Sequence, residues 1–91
     1  YYNLAKDLML ISRFDEAIGM FRKAIESADA DGPLTGLYYN DLGAAYASLN
    51  RIEEAYEALK TAVRLAPDDP TIRRNFIFFH ERLHGKGDKN N

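Results

Sequence analysis

The chain has 91 residues, 46% hydrophobic and 29% charged, a balance typical of one small folded domain rather than of a disordered segment. Its net charge of −2 gives no concentrated basic face, so we expect neither nucleic acid nor a membrane surface as a partner. The sequence contains no cysteine, which excludes disulfides and thiolate chemistry and fits a cytoplasmic protein, and no apolar run reaches about 18 residues, the length of a membrane span.

The first predicted helix lies at the start of the chain and is unusually apolar. Its apolar side chains are Leu4, Leu8, Met9, Leu10 and Ile11. They cover more of the circumference than a helix needs when it packs on one side only. Because the sequence also begins at Tyr1 rather than at methionine, we expect further repeats before this segment in a longer protein, and a homodimer through the N-terminal helix.

The second predicted helix carries a single apolar stripe. Its residues recur at intervals of three and four and are Phe14, Ala17, Ile18, Phe21, Ala24, Ile25 and Ala28. Ser12, followed by Asp15 three residues later, resembles a capping box, in which the hydroxyl accepts a hydrogen bond from an unpaired helix amide. This pattern predicts a helix that begins near residue 13.

The same arrangement returns farther along the chain, where Arg51 and Glu54 repeat Arg13 and Glu16. The stripe of this second copy is Ile52, Ala55, Tyr56, Leu59, Ala62, Val63 and Ala66, and the apolar segment before it is Tyr39, Leu42, Tyr46 and Leu49. Asn50 followed by Glu53 predicts a helix start near residue 51. Each copy is therefore a helical hairpin, and Pro33 suits the first turn of the second one.

A last helix is predicted from Pro70 to about Leu83, with Asp69 as its N-cap. It contains His80-Glu81-Arg82-Leu83-His84, which matches the H-E-x-x-H pattern of zinc hydrolases. A catalytic zinc needs a third protein ligand, yet these are the only two histidines, and Asp88 in the polar tail is a poor substitute. We therefore expect no enzymatic activity, metal or cofactor, and a zinc hydrolase is only the remote alternative.

The second copy resembles the tetratricopeptide repeat family. The matching positions are Tyr39, Leu42, Gly43, Tyr46, Ala55, Leu59, Ala62 and Pro67, and the first copy supplies Leu4, Ala5, Leu8, Ala17, Phe21 and Ala24. The resemblance implies an all-α, right-handed superhelix (solenoid) of two hairpins and a C-terminal capping helix. It places repeat one at about 1–31, repeat two at about 36–69 and the terminal helix at about 70–84, with a short insertion between the hairpins at 29–35 and a disordered tail at 85–91.

Membership of this family would imply a scaffold that binds a protein or peptide in a concave groove lined by the first helix of each hairpin. The groove positions are Tyr2, Lys6, Leu37, Asn40, Asp41, Arg74, Asn75 and Phe78. Two alternatives remain: these side chains are merely solvated, or the chain is a structural self-association domain. The family's carboxylate clamp for chaperone tails is not expected, because its positions hold Tyr2, Lys6, Asp41, Thr71 and Asn75, and Asp41 would repel a carboxylate.

Overall fold

The computed structural model describes residues 1–27 and 32–85. Within these ranges the chain forms helices and no strand. The helices are α1 (Tyr2–Leu10), α2 (Phe14–Ser27), α3 (Pro33–Ser48), α4 (Ile52–Leu65) and α5 (Pro70–His84). Each helix packs mainly on its neighbours in the chain, so α1 with α2 and α3 with α4 are the two predicted hairpins, and α5 lies on α4. The all-α fold and the helical-hairpin organisation are confirmed.

The tight turns inside both hairpins differ from the prediction. Ser12 and Asn50 have φ values of 63° and 61°, so each is the left-handed residue that ends the preceding helix. The Arg13 amide donates to the Leu8 carbonyl at 2.9 Å, and the Arg51 amide donates to Tyr46 at 2.9 Å, as in a Schellman motif. The predicted role of Asn50 as an N-cap is therefore wrong, because Arg51 holds that position and makes no side-chain cap bond. Ser12 likewise belongs to the turn that ends α1, so its predicted role in a capping box at the start of α2 is also wrong.

The arginine after each of these turns pairs with a glutamate in the first turn of the next helix. Arg13 Nη2 donates to Glu16 at 3.1 Å, and Arg51 Nε and Nη2 donate to Glu54 at 2.6 and 2.8 Å. The hydrogen bond to Glu54 raises the pKa of Arg51, the arginine between α3 and α4. Acidic side chains in a first helical turn also interact favourably with the positive end of the helix dipole. The second helices of the two hairpins thus begin with equivalent exposed Arg–Glu pairs.

The beginning of α5 agrees with its predicted signals. The Asp69 carboxylate accepts the amides of Thr71 at 2.9 Å and Ile72 at 3.1 Å, and Pro70 is the first helical residue. Pro33 likewise opens α3. Both prolines lack an amide hydrogen where a helix leaves that group unpaired, so they fix the helix start at little cost.

The core lies between the helices of each hairpin and at their junction. Its buried side chains of 2% exposure or less include Ala5, Ala17, Phe21, Ala45, Ala55, Leu59, Ala62 and Ile72. A side chain at Gly43 would place its Cβ 3.1 Å from Leu59 Cγ, and one at Gly36 would lie 2.9 Å from Ala66 Cβ. Gly36 and Gly43 therefore allow the backbone of α3 to lie close to α4 and to Ala66, which follows α4.

The surface of α1 is apolar, although less so than the sequence indicates. Leu8 and Met9 pack against the core, whereas Leu4, Leu10 and Ile11 are 50%, 83% and 61% exposed. Three predictions lie outside the described residues: the end of the α2 stripe at Ala28, the insertion as far as residue 31, and the tail at 86–91.

Candidate functional site

A chain of polar side chains joins the first helices of both hairpins to α5. The Tyr2 hydroxyl of α1 donates to Asp41 Oδ2 of α3. The Asn40 amide, also on α3, donates to Asp41 Oδ1 at 3.5 Å, and the Asn75 amide of α5 donates to Asn40 Oδ1 at 3.0 Å. Asn40 is 9% exposed, so its amide needs such partners. The sequence placed these four residues in one groove, and the structure brings them into one network, which we call the groove network.

Tyr2 is the most heavily engaged member of the groove network. Its ring lies 4.6 Å from the Tyr38 ring and 6.0 Å from Phe21, measured between centroids. The Lys6 ammonium is 5.3 Å from the centroid of the Tyr2 ring, within cation–π range. Burial, followed by the hydrogen bond to Asp41, raises the pKa of Tyr2 well above its usual range, so the phenol stays protonated. Sequence reasoning missed Tyr38, which belongs to no repeat signature position.

The other predicted groove residues occupy the ends of the site. Arg74 and Phe78 lie one helical turn apart on α5, the helix that also carries Asn75, and both are exposed, Phe78 by 56%. Arg74 forms no ion pair with any residue in the described part of the chain. Leu37 is half-buried on α3, one turn before Asn40 and Asp41. Arg74 and Phe78 therefore share α5 with Asn75, and the Phe78 ring packs edge-on against Phe79, with 4.9 Å between centroids.

A small hollow opens at the other end of this surface. It has a volume of about 210 Å³ and lies where α1, α2 and α3 meet. Its lining residues are Lys6, Met9, Leu10, Phe21, Asp41 and Ala44. The walls are almost wholly apolar, with the two charged side chains as the polar exceptions. Phe21, a core residue of α2, was not among the predicted groove residues, because its position in the repeat is typical of packing inside a hairpin.

The histidines of the H-E-x-x-H pattern pack around an aromatic residue of α4. Tyr56 has its hydroxyl 3.2 Å from His80 Nδ1 and its ring 5.3 Å from the His84 ring. The Phe76 ring stacks on the Tyr56 ring, 5.5 Å away between centroids, and lies 5.8 Å from the His80 ring. Among residues 1–27 and 32–85, no group of three or more histidine, cysteine, aspartate or glutamate side chains is placed to hold a metal ion. Within the described residues, the two histidines thus take part in aromatic packing between α4 and α5.

A larger cleft of about 650 Å³ lies elsewhere, lined by residues of α2, α3, α4 and the end of α5. Its lining includes Glu53, Glu54 and Glu57 of α4 and Arg22 of α2. The Arg22 guanidinium donates to the Tyr46 hydroxyl within it, Glu54 pairs with Arg51 just before α4, and Glu57 pairs with Lys60. Three of these four charged groups are therefore used in intramolecular contacts, whereas Arg74 forms no ion pair within the described residues.

Two antiparallel helical hairpins followed by a further helix, with one surface formed by α1, α3 and α5, define a helical-repeat scaffold. The family model for the tetratricopeptide repeat matches residues 1–68, and the chain belongs to this family. No curated protein and no solved structure matches the chain significantly. The family is a non-enzymatic repeat that generally serves protein–protein interaction.

In the described parts of the chain, no helix is both long and apolar enough to cross a membrane.

Proposed function

We propose that this chain is a non-enzymatic module that binds an extended polypeptide along the surface formed by α1, α3 and α5. The groove network carries the proposal. Because Tyr2, Asp41, Asn40 and Asn75 bond to one another across three helices, they hold this surface in one geometry before any ligand arrives. A preorganised surface loses less conformational entropy on binding, which favours affinity.

The same side chains also retain unused hydrogen-bonding capacity. Each oxygen of Asp41 accepts one bond within the network, and a carboxylate oxygen can accept two. Asn75 is half-buried, and its amide can pair with both the carbonyl and the N–H of a peptide backbone, whereas the nearly buried Asn40 holds Asn75 and Asp41 in place. Phe78 offers an exposed aromatic contact at the α5 end, and aromatic and arginine side chains supply most of the energy at peptide and protein interfaces.

The test uses peptides selected from a random 12-residue library against the purified chain. Phe78→Ala and Arg74→Ala should each weaken the selected peptide by about 1–2 kcal/mol without lowering helix content, since both side chains are exposed. The matched controls are Ile77→Ala and Arg73→Ala, which remove exposed neighbours on a different face of α5. Equal affinities for all four variants would contradict the assignment of this surface.

Self-association through α1 is the second candidate. Leu10 is 83% exposed and Leu4 50%, so apolar area remains uncovered on this helix. Sedimentation at rising concentration should show a monomer-to-dimer shift that Leu10→Lys suppresses. Leu34→Lys is the matched control, because Leu34 is 59% exposed on α3. A strict monomer at millimolar concentration, or equal suppression by both variants, would rule out this role of α1.

A further inference from the structure

The two histidines of α5 form an exposed pair that the proposed peptide groove does not use. His80 and His84 lie one helical turn apart, and both side chains are exposed to solvent. Their ring centroids are 5.0 Å apart, with an angle of 49° between the ring planes. Since the chain contains only these two histidines, the pair brings together all of its imidazole groups.

We propose that His80 and His84 form a site for one divalent transition-metal ion that prefers imidazole nitrogen, of the class of Zn²⁺, Ni²⁺ and Cu²⁺. The ion binds one nitrogen of each ring and fastens the last turn of α5, which ends at His84. The site is not catalytic, because no further ligand in the described part of the chain is placed to join the pair. Water completes the coordination of the ion.

The spacing of the two rings fits two bonds to one ion. A metal bound to an imidazole nitrogen at about 2.1 Å lies about 3.2 Å from the centre of that ring, because the nitrogen is about 1.1 Å from the centre. Rings with centroids 5.0 Å apart then subtend about 100° at the ion, between the values for square-planar and tetrahedral ligands. Helix α5 therefore holds the rings at the separation that chelation requires.

Tyr56 of α4 supplies a partner for the nitrogen of His80 that does not bind the ion. Its hydroxyl oxygen lies 3.2 Å from His80 Nδ1. When Nδ1 carries the ring proton and donates a hydrogen bond to this oxygen, the lone pair of His80 is on Nε2, which is then free to bind metal. Such an outer hydrogen bond fixes the tautomer of a metal-binding histidine. Tyr56 is therefore a positioning residue and not a ligand.

The position of the pair at the end of α5 also favours a cation. The last turn of a helix carries unpaired carbonyl groups, which form the negative end of the helix dipole. The charged side chains nearby are of both signs: Glu81 and Arg82 belong to the same turn of α5, and Glu57 pairs with Lys60 at 3.5 Å on α4. The dipole thus adds to the attraction that the two imidazole nitrogens exert on a divalent ion.

The test is a titration of the purified chain with zinc chloride, followed by calorimetry and by the NMR signals of the two imidazole rings. One zinc ion per chain should bind and shift both sets of ring signals together. His80→Gln and His84→Gln should each weaken binding by at least about tenfold, because losing a ligand costs at least as much as losing an outer partner. Magnesium chloride is the control salt and should shift neither ring, since Mg²⁺ prefers oxygen ligands.

Two further variants separate the hydrogen bond and the pair from their surroundings. Tyr56→Phe keeps the aromatic ring that stacks on Phe76 but removes the hydroxyl, so zinc should bind about tenfold more weakly. The nitrogen-15 signals of His80 should then lose their preference for a proton on Nδ1, an effect that packing alone would not produce. Glu81→Gln is the matched control, because Glu81 lies about 100° around the helix from His80 and should leave the affinity unchanged.

The fastening of α5 has its own measurement. Zinc should slow hydrogen exchange at the backbone amides of the last turn of α5 in the wild type, and it should not do so in His84→Gln. Unchanged exchange in the presence of saturating zinc would contradict the fastening.

The possible results decide the site independently of the peptide groove. No saturable binding at millimolar zinc overturns the site. Equal zinc affinity of the wild type and His80→Gln also overturns it, because an adventitious ion only is then bound elsewhere on the chain. Unchanged affinity in Tyr56→Phe overturns the positioning role of the hydroxyl. None of these results depends on Arg74 or Phe78, on which the peptide-binding test relies.

Discussion

The contacts of Tyr2 in the groove network are made with residues that lie far from it in the sequence. Its hydroxyl reaches Asp41, 39 positions later in the sequence, and its ring packs on Tyr38. The periodicity of the sequence around Tyr2 predicts that it lies on a helix, but it does not predict which side chains Tyr2 contacts. The contact with Asp41 depends on how two hairpins stack, which is why the sequence indicates the surface but not the network.

The raised pKa of Tyr2 predicts a specific pH dependence of stability. In the unfolded chain the phenol ionises near pH 10, whereas in the folded chain burial and Asp41 keep it protonated. The stabilisation is therefore complete below about pH 10 and is lost as the pH rises above it, because the unfolded state releases its proton first. Tyr2→Phe should show a smaller loss of unfolding free energy between about pH 9.5 and 11, measured by urea denaturation. Parallel pH curves for the two proteins would contradict this account.

The asparagine pair between α3 and α5 allows a second measurement at this scale. Asn40→Ala, Asn75→Ala and the double variant form a thermodynamic cycle around one 3.0 Å hydrogen bond. Since Asn40 is nearly buried, each single variant should lose about 1–2 kcal/mol of unfolding free energy. The double variant should lose about 1 kcal/mol less than the sum of the two. Strict additivity would show that the two amides do not interact in solution.

The helices themselves follow from the sequence more fully than the turns between them. The stripes from Phe14 and from Ile52 correctly predict α2 and α4, because burial of one apolar face is a periodic signal. The capping roles predicted for Ser12 and Asn50 are wrong. A small polar residue serves both as an N-cap and in the left-handed position that ends a helix, and only φ distinguishes the two roles.

Two glycines test how closely the helices pack. Gly36→Ala would set a Cβ 2.9 Å from Ala66 Cβ and 3.2 Å from the Ala62 carbonyl oxygen, both rigid neighbours, and should cost about 1–3 kcal/mol of stability. Gly19→Ala is the matched control, because a methyl group at this position of α2 would meet no atom within 4 Å. It should stabilise the chain by about 0.5–1 kcal/mol through helix propensity alone. Melting temperatures that shift in the same direction for both variants would contradict the close approach of α3 and α4.

At the scale of the whole molecule, the sequence repeat predicts the class of protein but only part of the candidate site. The groove residues on α1, α3 and α5 could be proposed from their repeat positions. The hollow could not, since its floor, Phe21, comes from the second helix of a hairpin and is reached only through a gap between three helices. Such gaps depend on the sizes of side chains far apart in the sequence.

The central claim is that a polypeptide binds along the surface of α1, α3 and α5. An extended 12-residue peptide spans about 40 Å, close to the 45 Å long dimension of the molecule. The most direct measurement is therefore amide chemical-shift mapping of the chain with a library-selected 12-residue peptide. The account predicts that the largest shifts fall on Lys6, Asp41, Asn75 and their neighbours on these three helices. Shifts confined to the exposed residues of α2 and α4 would contradict it.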